Sequence, residues 1–127
     1  MDLNQLTSQI IGSAIEVHRE LGPGLLESTY EECLCKELEL RAIPFERQKE
    51  IPVEYKGHRL DCEYRVDVLI DGTIILELKS CQELEPIYKA QLLTYLKLTG
   101  NQVGLLLNFN VERMKEGIVR VVNNMDE

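Results

Sequence analysis

The chain is 127 residues long with 44% hydrophobic and 28% charged residues, and it carries a net charge of −8. That length and balance suit one domain over residues 1–127 with a core of its own, and no apolar run approaches the ~20 residues needed to span a bilayer. A surface this acidic offers nucleic-acid phosphates no general attraction, so a polyanion partner requires a local basic patch or a divalent cation.

The first ten residues, MDLNQLTSQI, lack the basic and apolar regions of a signal peptide. Of the four cysteines, Cys33 and Cys35 point to different sides of a helical pattern, while Cys62 and Cys81 fall in or beside strand-like text. With only two histidines and no paired spacing, neither a zinc site nor a disulfide framework is indicated. A reduced, cytoplasmic protein with no membrane partner is the expectation.

From Leu3 to Leu21 apolar residues recur at helical spacing, and Gly22-Pro23-Gly24 stops the run. A second helix is predicted from about Leu25 to Arg41, with Tyr30, Leu34 and Leu38 on one stripe and Pro44 beyond its end. Three strands follow, FERQKEIPVEYKG, HRLDCEYRVDVLI and TIILELK, turning at Lys56-Gly57 and Asp71-Gly72. A third helix lies in EPIYKAQLLTYLKLTG, with Pro86 near its start and Gly100 at its end. The run VGLLLNF suits a strand buried on both faces, and GIVRVV suits an edge strand. The order α-α-β-β-β-α-β-β predicts an α/β fold: a mixed sheet flanked by helices, with the third helix as a right-handed crossover between parallel strands. The late edge strand leaves room for a homodimer.

Four places carry chemistry. In DVLIDGTIILELK, Glu77 and Lys79 interrupt an apolar strand with period two, so both leave one face, and Asp67 lies on the neighbouring strand. Converging carboxylates hold Mg²⁺, which keeps several waters and takes substrate phosphates at its remaining positions. A nearby lysine can orient or deprotonate water and stabilise developing charge on phosphate. A surface Glu–Lys pair is the plain alternative.

Glu27 stands seven and eleven residues before Leu34 and Leu38, which returns it to within about 20° of their stripe. It is an acid on the core-facing side, or else an acid favoured at a helix start by the dipole. Gln91 and Tyr95 lie one turn apart, either facing a ligand or bounding an amphipathic helix. His18 sits on the apolar stripe of the first helix, where a satisfied core histidine is the ordinary reading.

Register decides whether the hairpin can build a site. A two-residue Asp71-Gly72 turn pairs Asp67 with Leu76 and sends Glu77 to the opposite face. A three-residue turn, or a bulge, pairs Asp67 with Glu77 instead. The expectation is a three-residue turn or a bulge, with the Asp67 and Glu77 carboxylates converging on one point.

GLLESTY at 24–30 has the form GxxExxY. Together with VHRELGPG, RVDVLI, LELKS, AQLLTYL and GLLLNF in this order, it resembles the GxxExxY proteins, a branch of the PD-(D/E)xK nuclease superfamily, over about Ile10 to Arg120. The resemblance implies a restriction-endonuclease-like fold and a Mg²⁺-dependent phosphodiesterase (Mn²⁺ substituting) that hydrolyses DNA or RNA through a metal-activated water. It places the first acidic motif on Asp67, with Val66 where the superfamily name has proline. The (D/E)xK motif falls on Glu77 and Lys79, and the Leu78 carbonyl is implied as a further metal ligand. The family glutamate falls on Glu27 as a catalytic and metal residue. Tyr30, Gln91, Tyr95 and His18 are implied around the substrate pocket. Two rivals stand beside this reading: a non-catalytic binding or assembly module on a nuclease fold, and a hydrolase of a small nucleotide.

Overall fold

The computed structural model describes residues 1–124. Its elements run α1 (Leu3–Leu21), α2 (Glu27–Leu40), β1 (Phe45–Tyr55), β2 (His58–Ile70), β3 (Ile74–Lys79), α3 (Pro86–Thr99), β4 (Val103–Asn108), a short 3-10 turn (Met114–Gly117) and β5 (Ile118–Val122). This is the expected order, with the second helix beginning two residues later than its pattern suggests.

Helix boundaries follow local chemistry. Asp2 caps α1 through the Gln5 amide while the Gln5 side chain accepts from the Asp2 amide. Pro86 opens α3, and Gly100, at φ 76, closes it in the left-handed conformation.

The five strands lie in chain order, β1-β2-β3-β4-β5. All neighbours are antiparallel except β3 and β4, which run parallel across the α3 crossover. The sheet has a core on each face. Ile74, Leu76 and Leu78 of β3 pack with Ile10, Ala14, Tyr30, Leu34 and Leu38 of α1 and α2. Ile75 packs on the other face with Leu92, Tyr95 and Leu96 of α3. β3 is buried from Ile74 to Leu78, so the carboxylate of Glu77 sits inside an apolar layer.

The β2–β3 hairpin has the three-residue turn. Ile70 pairs with Ile74, Leu69 with Ile75 and Val68 with Leu76, leaving Asp71, Gly72 and Thr73 as the connection. Asp71 and Gly72 take φ values of 49 and 68, and the Thr73 amide donates to the Ile70 carbonyl at 2.8 Å.

The four cysteines are free thiols, and burial pushes that of Cys35 up to about 11. No helix among the described residues is long and apolar enough to cross a membrane.

Candidate active site

The site forms where the β2–β3 ladder ends. Regular pairing stops at Val68 and Leu76, one step short of Asp67 and Glu77. There, side chains replace main-chain partners. The Asp67 amide donates to Glu77 Oε2 at 2.7 Å, and the Leu78 amide donates to Asp67 Oδ2 at 2.8 Å. Each carboxylate is thereby fixed by the strand that carries the other.

This interlock leaves two oxygens for other work. Asp67 Oδ1 meets only the Gln48 amide, at a long 3.5 Å. Glu77 Oε1 accepts nothing from the protein, and no buried side-chain polar atom among the described residues lacks a partner, so this oxygen reaches solvent. Burial, followed by repulsion from Asp67, raises Glu77 to about 8. Burial likewise raises Asp67, against the lowering effect of the Leu78 amide. A pair that resists ionisation and keeps an open oxygen on each member is a suitable cradle for a divalent cation.

Lys79 leaves the same face as Glu77 and is half-buried. Its Nζ lies 4.5 Å from the centroid of the Tyr88 ring on α3. Among the described residues it forms no salt bridge, so the surface Glu–Lys pair does not occur. The main chain beyond it is held by the buried Asn108. Its Oδ1 accepts from the Cys81 amide at 3.1 Å, and its Nδ2 donates to the Cys81 carbonyl at 3.0 Å.

Tyr95 closes the α3 side, its ring 6.4 Å from that of Tyr64 on β2. Burial and then the charge of Glu77 raise its phenol. Gln91, one turn earlier, is exposed and makes no side-chain hydrogen bond among the described residues, so the expected inward-facing pair is only half realised.

Three other candidate residues stand apart from the carboxylate pair. Glu27 is exposed, because the stripe shared with Leu34 and Leu38 runs past the core at the first residue of α2. It lines a surface depression with Leu25, Leu26, Ser28 and Ser80, and no three acidic, histidine or cysteine groups among the described residues converge for a metal. Tyr30 has no exposed surface. Its hydroxyl donates to the Gly22 carbonyl at 2.6 Å and accepts from the Leu25 amide at 3.1 Å, which folds the GPG loop. Its ring stacks on Phe109 at 4.5 Å. His18 is likewise buried, with Nε2 bonded to the Val111 carbonyl at 2.7 Å, so it anchors the segment after β4 to α1.

The acid that α2 turns inward is Glu31, one turn beyond Glu27. It accepts from Arg47 Nε at 3.0 Å and Nη2 at 2.8 Å, and from Gln48 Nε2 at 2.9 Å. Its charge raises both Asp67 and Glu77. The sequence held the signal: Glu31 stands seven residues before Leu38, the same spacing that singled out Glu27. Tyr88 and Gln48 reach the site from distant elements, and no local pattern marks them.

The sequence profile of the PD-(D/E)XK nuclease superfamily matches residues 4–121. The chain belongs to that superfamily. Its nucleases generally use divalent metals. The GxxExxY form is a property of residues 24–30, and the match itself is to the superfamily. The crystal structure of SSO0001 superimposes with a TM-score of 0.54 at 19% identity, over 95% of this chain and 67% of that one. At that identity the likeness speaks for the fold: a mixed sheet flanked by helices. No curated protein matches the chain.

Proposed function

We propose that this PD-(D/E)XK protein is a nuclease that hydrolyses phosphodiester bonds of DNA or RNA at Asp67, Glu77 and Lys79. The observation that carries the reading is the interlocked carboxylate pair, Glu77 buried and Asp67 half-buried, beside a lysine that forms no salt bridge among the described residues. Asp67 and Glu77 would hold Mg²⁺, with Mn²⁺ as a substitute, and the Leu78 carbonyl is the further ligand that the resemblance implies. Such a cation supplies charge stabilisation at the phosphate and lowers the pKa of water.

The protein's own groups do the rest. Lys79 would present its ammonium to the attacking oxygen or the phosphate, and the face of Tyr88 holds that charge without neutralising it. Tyr95 excludes water on the α3 side, with Gln91 exposed one turn away for contact to the substrate. Glu27 is left outside the metal pair, at the depression beside Ser80. Arg47 is committed to Glu31 and Glu32 at 2.8 and 3.0 Å, so with a net charge of −8 the cation and Lys79 provide the attraction for phosphate.

One observation favours a second reading, a nuclease fold kept as a binding module: no third carboxylate converges on the pair among the described residues. Incubating single- and double-stranded DNA and RNA with the protein, with Mg²⁺ or Mn²⁺ and with Glu77→Gln as control, separates the two. Metal-dependent cleavage that the variant lacks supports the nuclease. Binding without cleavage of any substrate supports the module.

A further inference from the structure

Gln48 is an exposed residue in the middle of β1, yet its φ is 50. That left-handed conformation strains any residue with a Cβ. The other non-glycine residues at positive φ among those described are Ala42, Lys56 and Asp71, and all three lie in turns where the chain reverses. Gln48 reverses nothing. The β1–β2 register passes from Arg47↔Val68 to Lys49↔Val66, so Gln48 and Asp67 face each other without joining the ladder.

The conformation has one visible consequence. It turns the Gln48 amide between two elements, where Nε2 donates to Glu31 Oε1 at 2.9 Å and reaches Asp67 Oδ1 at 3.5 Å. Glu31 is itself held from the other side by the Arg47 guanidinium. The Asp67 carboxylate is therefore restrained at both oxygens, by the Leu78 amide at Oδ2 and by Gln48 at Oδ1. Ligating carboxylates are commonly held by such an outer donor, and Oδ1 keeps a further acceptor position for a cation.

We propose that Gln48 is a positioning residue, whose strained backbone directs its amide to bridge Glu31 and Asp67 and so aims Asp67 Oδ1 into the metal site. The inference rests on the nuclease reading for its purpose, but the bridge itself can be tested without metal.

Gln48→Asn and Gln48→Gly both tolerate positive φ, and neither side chain spans the two carboxylates. Metal-free NMR is expected to give a single Asp67 χ1 rotamer in the wild-type protein and rotamer averaging in both variants. Calorimetric Mn²⁺ titration is expected to show about 10-fold weaker binding in both. The melting temperature is expected to hold or rise, which a merely structural role for Gln48 does not predict. A single Asp67 rotamer in both variants overturns the inference, whatever the metal result. If the wild-type protein binds no Mn²⁺, the nuclease reading fails, and the rotamers still decide the bridge.

Discussion

Lys79 Nζ stands 4.5 Å from the ring centroid of Tyr88, with no carboxylate of the described residues in salt-bridge range, although Glu77 lies two residues away on the same strand face. An aromatic face holds an ammonium in place and leaves its positive charge available. Lys79→Ala should lower cleavage by about 100-fold or more, while calorimetry finds Mn²⁺ affinity near wild type. Tyr88→Leu should lower turnover less, because the lysine remains but is held loosely. Wild-type turnover in Lys79→Ala reduces the residue to a structural cation.

Asp67 and Glu77 are each raised by burial, and the charge of Asp67 raises Glu77 further. Without metal, removing either charge relieves that repulsion. Asp67→Asn and Glu77→Gln should each raise the metal-free melting temperature at pH 8 and weaken Mn²⁺ binding. Lower metal-free stability in both variants identifies the carboxylates as structural partners of the amides they accept from.

Glu77 also sets a pH dependence. Its folded value of about 8 lies above the ordinary 4.5, so the folded state binds the proton more tightly than the unfolded chain. Its contribution to stability is complete below about pH 4.5 and is lost as pH rises through about 8. Metal-free unfolding in urea should therefore show stability falling over that window, and Glu77→Gln should flatten the fall. Mn²⁺ affinity should rise over the same window, since the cation competes with the proton.

Tyr30 is bonded within the loop that follows α1. Tyr30→Phe removes the hydroxyl that bonds Gly22 and Leu25 but keeps the ring on Phe109. Stability should fall by about 1 kcal/mol, read from chemical denaturation, because the half-buried Gly22 carbonyl loses its donor. The KM for nucleic acid should stay unchanged. A raised KM at unaltered stability indicates a substrate contact instead.

Much of this architecture is legible in the residues because it is local. Helical spacing marks Leu3–Leu21, the Gly–Pro–Gly stop ends that helix, and the uninterrupted apolar text of β4 marks a strand buried on both faces. The turn was legible through chemistry rather than propensity, since Asp-Gly alone favours two residues and only the need to bring Asp67 to Glu77 asks for three. What periodicity cannot give is where a stripe leaves the core. Glu27 and Glu31 share a helical face, and only the packing of α2 on the sheet decides that the first is exposed and the second buried. Tyr30 and His18 show a related limit, because a motif residue that closes a loop looks the same in sequence as one that touches a substrate. Tyr88 and Gln48 are supplied by α3 and β1, and tertiary contact alone brings them to the site.

Anomalous diffraction from crystals soaked in Mn²⁺ tests the central claim most directly. The account predicts one or two peaks within coordination distance of an oxygen from Asp67 and an oxygen from Glu77. No peak at that pair in millimolar Mn²⁺, or peaks confined to other surface carboxylates, would contradict it.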